Sequence, residues 1–238
     1  MKDEDKEKSQ LIKELQEIRE KVTNLEEIKL KYNRVNRKLE QADKKLKKMI
    51  ETAANIINKV VEIRDPYSIG HQQRVSQLAT TIAQEMELPK SKIEGVKIAS
   101  LVHDIGKLNV PIEIISKPHK LIDVEFNLIK NYPKVGYDIF KKVDFPWDVA
   151  QIVFQHQEKI DGSGYPRGLK GDEICIEAKI VGVANVIEAM SSYKSYRHAL
   201  SIDEALHEID MNKNILFDAE VVDACIKLFK EKGFKFES

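Results

Sequence analysis

The stretch Val102-His103-Asp104-Ile105-Gly106-Lys107 decides how this chain is read. The apolar run Ile98-Ala99-Ser100-Leu101-Val102 leads into it as a helix. A histidine followed directly by an aspartate puts two metal-capable side chains at adjacent positions. Gly106 ends or bends the helix, and Lys107 sets a cation one turn past His103. Burying such a pair is costly unless a metal or a hydrogen-bond network satisfies it. Taken alone, the pair reads as a helix terminus whose polar groups are satisfied by hydrogen bonds. The rest of the chain changes that reading.

The 238 residues suffice for one large domain, or one domain with an extension. Lysines and arginines (39) balance aspartates and glutamates (39), so nothing points to a nucleic-acid polymer as partner. A hydrophobic content of 42% can build a core. Cys175 and Cys225 lie far apart and form no CxxC pair. They read as reduced, packed thiols of a cytoplasmic protein. Met1 runs straight into Lys2-Asp3-Glu4-Asp5-Lys6 without an apolar core, so no secretory signal is expected. No run approaches the length of a membrane span, so direct membrane insertion is not expected.

The first proline is Pro66 and the first glycine Gly70. Everything before them is rich in good helix formers. Leu11, Leu15, Ile18, Val22 and Leu25 fit one heptad register; Ile28, Tyr32, Val35, Leu39, Ala42, Leu46, Met49, Ala53, Ile56 and Val60 fit a second. The step from Leu25 to Ile28 is a stammer, a local overwinding. Charged residues flank the seam, which predicts a coiled coil pairing two chains through residues 11–60. Lys29 at an a position and small residues at Ala42 and Ala53 predict a modest, adjustable dimer. The expected organisation is a coiled-coil signalling helix over 1–58 and a globular domain over 59–238.

Asp65-Pro66-Tyr67-Ser68-Ile69-Gly70 breaks the rod, and His71 follows at a helix start with Arg74 one turn on. Leu88-Pro89-Lys90-Ser91 is a turn; Ser91 is expected to cap the next helix with Glu94 in the capping-box position. Further helical patterns lead to His156-Gln157-Glu158 and a glycine-rich loop, Asp161-Gly162-Ser163-Gly164-Tyr165-Pro166-Arg167-Gly168-Leu169. Ile176 opens another helix, Ser201 caps one, and Val221 to Phe229 form the last. Alternating strands are nearly absent, so the domain is expected to be all-α. Trp147 beside Pro146 anchors a turn. His119, His198 and His207 read as surface or packing residues.

His71, His103-Asp104 with Gly106-Lys107, His156 and Glu158, and Asp161 to Pro166 together resemble the HD-GYP family of the HD phosphohydrolase superfamily. The resemblance covers about residues 60 to 235. It implies an HD-type helical bundle that acts on cyclic di-GMP or a related cyclic dinucleotide at a site with two or three metals, iron or manganese foremost and zinc next. It implies metal ligands at His71, His103, Asp104 and His156, with Asp104 also shared between ions and Lys107 offsetting charge on the phosphate. Lys117, Lys194 and Arg197 match positions where the family offers cations to the substrate. Asp161, Gly164, Tyr165 and Pro166 match its substrate loop.

Three usual ligand positions depart from the family pattern. Tyr132 stands before Pro133 where a histidine is normal, Gln157 replaces the second of paired histidines, and Asn185 takes an aspartate position, with Glu188 at the next. Lys179 stands for an arginine, and Lys194-Ser195-Tyr196-Arg197 replaces an Arg-Pro-Tyr start. Glutamine is a weak neutral donor, asparagine lacks the charge, and tyrosine deprotonates only near pH 10. The remaining ligands suit one ion or none. The expected function is a cyclic di-GMP phosphodiesterase domain with a weakened site and low or absent hydrolysis. The competing reading is an inactive module that senses a nucleotide or docks a signalling protein.

Overall fold

The computed structural model describes residues 2–65, 68–117, 119, 121–193 and 199–236. The chain divides into two compact units, residues 1–50 and 51–238. No β-strand occurs among the described residues; two isolated bridges, Asp161 with Lys170 and Lys213 with Phe217, tie loops. The expected all-α class holds. No helix is long and apolar enough to cross a membrane among the described residues.

Helix α1 runs unbroken from Lys2 to Arg64. In the first unit its apolar seam faces solvent: Leu11, Leu15, Ile18, Val22, Leu25, Ile28, Tyr32, Val35, Leu39, Leu46 and Met49 are all exposed in the single chain. The last turns of α1 belong to the second unit, where Ala54, Asn58 and Val61 are buried. The helix ends at Arg64, whose guanidinium donates to the Val110 carbonyl at 3.0 Å.

The second unit is a bundle of α2 (His71–Glu85), α3 (Lys90–Val102), α4 (Ile112–Ile115), α5 (Asp123–Lys130), α6 (Tyr132–Phe140), α7 (Val149–Gln155), α8 (Ile176–Ser191), α9 (Ile202–Met211) and α10 (Ala219–Lys230). Short 3-10 turns cover Ile105–Asn109 and Gly171–Glu173. Helix α2 packs on α3, α8 and α10, and α3 on α7 and α8. Helix α8 is apolar almost all round, as a central helix must be. Ile180, Val181, Val183, Ala184 and Ile187 are buried there beside Leu78 and Ile82 of α2. Each valine, leucine or isoleucine among them contributes about 1.5–3 kcal/mol on burial.

Ser201 caps α9 as expected, its hydroxyl accepting from Glu204 N–H and the Glu204 carboxylate accepting in return. The cap expected at Ser91 is not formed. Helix α3 starts two residues earlier, at Lys90, behind Pro89 with φ −54°. The Pro89 carbonyl accepts from Lys92 and Ile93 N–H, so proline rather than serine begins the helix. Trp147 sits in its turn against Gly95, where an added Cβ would come within 3.2 Å of its own Cβ.

Close approaches aim three helix ends at one point. A Cβ on Gly106 would lie 1.9 Å from the Tyr132 carbonyl, so only glycine lets the turn after Asp104 lie against the start of α6. A Cβ on Gly182 would lie 2.9 Å from the His156 carbonyl, so α8 passes equally close to the end of α7.

Candidate metal centre

The three central histidines stand at helix ends. His71 is the first residue of α2, His103 follows the last residue of α3, and His156 follows the last residue of α7. The carbonyls of a helix's last turn have no partner within the helix. His103 Nδ1–H uses one, donating to the Ser100 carbonyl at 2.7 Å, and His156 Nδ1–H donates to the Val153 carbonyl at 2.7 Å. His71 Nδ1–H donates to the Glu188 carboxylate. All three rings thereby turn an unprotonated Nε2 inward, the tautomer a metal ligand needs.

Glu188 is fully buried and held on three sides. Besides His71 it accepts from Arg74 Nε at 2.8 Å and from the Ser192 hydroxyl at 2.7 Å. Burial works against its ionisation, but the His71 hydrogen bond and its other partners prevail and lower its pKa to about 2. It serves as an ionised outer partner that orients His71.

Asp104 completes the cluster. Its Oδ2 accepts from Lys107 Nζ at 2.7 Å and lies 3.6 Å from His71 Nε2; its Oδ1 lies 3.5 Å from His103 Nε2. The donor atoms of His71, His103 and Asp104 all fall within 4.8 Å of one another. Asp104 Oδ1 and His103 Nε2 are buried and have no hydrogen-bond partner. An acceptor oxygen facing an acceptor nitrogen in a dry site is unfavourable, and a cation between them removes the cost. Burial lowers the His103 pKa to about 4, so its lone pair is free near neutrality. Burial opposes the Asp104 charge too, but His103, Lys107 and His71 outweigh it and hold the carboxyl well below the usual range. Two imidazoles and a carboxylate suit iron, manganese or zinc.

His156 is brought beside them, its ring 5.0 Å from that of His103, but its Nε2 is engaged. The Tyr132 hydroxyl donates to it at 2.8 Å, and Gln157 Nε2 donates to the Tyr132 oxygen at 2.9 Å. Burial and the Asp104 charge raise the phenol pKa well above 10, so Tyr132 stays neutral. Asn185 lies one turn before Glu188 on α8 and is half-buried.

The glycine-rich loop is built from within. Buried Glu158 accepts from Arg167 N–H at 2.7 Å and Leu169 N–H at 3.0 Å. Asp161 accepts from the Ser163 N–H at 2.8 Å and its hydroxyl at 2.7 Å, shaping the turn from an exposed position. Gly164 lies against the Glu158 and Lys159 backbone, where a Cβ would fall at 2.3–2.5 Å. Tyr165 follows, half-buried, with its ring edge-on to Phe126 at 6.2 Å and Tyr132 at 6.5 Å; a cis peptide joins it to Pro166. Lys107 lies at the rim, 5.4 Å over the Tyr132 ring. Lys117 is paired with Glu125 at 2.6 Å, and Lys179 with Asp218 at 2.9 Å. Lys194 and Arg197 lie outside the described residues, as does His198.

Sequence reasoning missed two roles. Glu188 was read only as a replaced aspartate, although its spacing of three from Asn185 puts both on one face of α8. Glu158 is the second: its place in the motif does not reveal that it holds the loop.

Residues 55–221 match the family model for the HD domain. The chain belongs to that family and is of the HD-GYP kind. Over 178 residues it is 38% identical to a cyclic di-GMP phosphodiesterase of Thermotoga maritima, an alignment covering 74% of this chain and 48% of that protein. It is 33% identical over 178 residues to a 3'3'-cGAMP-specific phosphodiesterase of Vibrio cholerae, covering 75% of this chain and 39% of that one. The chain therefore spans about half or less of the length of these relatives. Its fold is shared with an HDG"Y"P protein from Bdellovibrio bacteriovorus, at a TM-score of 0.60 and 20% identity over 77% of this chain and 62% of that one.

Proposed function

We propose that residues 59–238 are a cyclic-dinucleotide-directed, metal-dependent phosphodiesterase domain with a reduced metal centre. Cyclic di-GMP is the first candidate substrate. The observation that carries this reading is the buried, unpartnered pair Asp104 Oδ1 and His103 Nε2, with His71 beside them. His71, His103 and Asp104 would hold one divalent ion, iron or manganese before zinc. A divalent ion supplies Lewis acidity toward a phosphodiester. Lys107, tied to Asp104 and partly exposed, offers positive charge to phosphate oxygens. Gly164 lets the loop lie against the Glu158 backbone, and the Tyr165 ring that follows offers a face to a base. Lys117 would have to leave Glu125 to reach a phosphate.

Fewer ionised ligands mean fewer ions and slow turnover. The test is metal analysis of the purified protein together with a cyclic di-GMP turnover assay. About one ion per chain with weak turnover supports the reading; two or more tightly held ions with brisk turnover overturn the reduced centre.

A second reading is favoured by the exposed apolar seam of α1. Here residues 11–60 pair two copies of a cytoplasmic signalling protein, whose inactive domain senses the nucleotide or docks a protein partner. Calorimetry with cyclic di-GMP separates the two. Binding without turnover, and turnover appearing only after Tyr132→His, Gln157→His and Asn185→Asp together, would favour the receptor.

A further inference from the structure

His103 and His156 share one local design: each follows a helix, donates Nδ1–H to the carbonyl three residues back, and points Nε2 inward. They differ in what Nε2 meets. His103 Nε2 meets no hydrogen-bond partner. His156 Nε2 accepts from the Tyr132 hydroxyl at 2.8 Å, a phenol whose proton the Asp104 carboxylate also attracts. The Tyr132 oxygen in turn accepts from Gln157 Nε2 at 2.9 Å. A lone pair that accepts a hydrogen bond is not free to bind a cation.

Tyr132 is fixed by more than its hydroxyl. It is 2% exposed, its carbonyl lies against Gly106, and the Lys107 ammonium lies 5.4 Å over its ring. Turning it away would empty a buried site and strand both the His156 nitrogen and the Gln157 amide.

We propose that Tyr132 and Gln157 form a hydrogen-bonded plug that takes His156 out of the ligand set, so that an ion in the centre is held without it. Tyr132 is thus a positioning residue, acting through His156. The inference rests on the metal-binding part of the function proposed above. It makes no use of the nucleotide, so loss of cyclic di-GMP turnover leaves it untouched.

The test uses Zn2+ as probe on the full chain, read by long-range proton–nitrogen correlation of the histidine rings. On Zn2+ addition the Nε2 signals of His71 and His103 move, and that of His156 holds its place. In parallel, His103→Ala weakens Zn2+ binding by more than about 100-fold, beyond the ~10–100-fold cost of losing even an outer partner. His156→Gln stays within about threefold, below that outer-partner range. In the double variant Tyr132→Phe, Gln157→Ala, the freed His156 signal moves with Zn2+. The proposal is overturned if His156 Nε2 moves with His103 in the unsubstituted chain, or if His156→Gln loses Zn2+ as His103→Ala does. It also falls if His156 stays still once the plug is removed. The unsubstituted chain decides the matter if His156→Gln does not fold.

Discussion

The buried centre has two halves, each built around a histidine that follows the C-terminal end of a helix. In one, His71, His103 and Asp104 bring lone pairs and a charge together and leave two atoms unpartnered. In the other, His156, Tyr132 and Gln157 satisfy one another by hydrogen bonds. The first half is costly as it stands and relieved by a cation; the second is already at rest. On the proposed reading, metal affinity would depend on what a helix end leaves unsatisfied as well as on which residues occupy it.

This contrast can be broken at four points. The largest effect is expected at Asp104→Ala, which removes the only carboxylate of the open half. Affinity for Mn2+ or Zn2+ should fall by more than about 100-fold in a chelator-competition titration, since loss of an outer partner alone costs about 10–100-fold. An unchanged affinity would place the ion elsewhere. Glu188→Gln should weaken the same ion by about 10–100-fold by releasing the His71 ring. If it has no effect, His71 is not a ligand.

Tyr132→Phe acts on the closed half. It strands the His156 nitrogen and the Gln157 amide, and should cost about 1–3 kcal/mol in urea unfolding while the metal stays bound. A variant as stable as the parent would show that the closed half is not held by this hydroxyl. The gentlest perturbation is mild acid on the metal-free protein. Burial lowers His103 to about 4 and His156 to about 3, from an ordinary 6.5. The unfolded chain takes up protons from about pH 6.5 downward, while the folded chain resists until near pH 4. Stability is therefore full above about pH 6.5 and falls as pH drops toward 4, with His103 protonating before His156. A melting temperature flat across that window would contradict the burial of these rings.

Much of this was legible beforehand. The 3.6-residue spacing of Val75, Leu78, Ala79 and Ile82 marked α2, and the polar pair after Val102 marked the centre. The Asp161–Leu169 loop was legible because glycines there carry backbone information: Gly164 has no room for a side chain. The pairing of His71 with Glu188, 117 residues away, was not legible, because it depends on how α2 lies on α8. Nor was the pairing of Lys117 with Glu125. Ser91 with Glu94 three residues on has the spacing of a capping box, but the Pro89 carbonyl, two residues earlier, receives the first helical bonds.

The sequence by itself determined the helical class, the break after α1, and the presence of histidines and an aspartate with a family's spacing. Those follow from local preferences and periodicity, which act over a few residues. Only the tertiary structure decided which imidazoles remain open. Ring orientation is local, set by carbonyls three residues back, but what faces the inward nitrogen comes from another helix. Asp104 faces His103 across an unsatisfied gap, and Tyr132, held against Gly106 at the start of α6, closes His156.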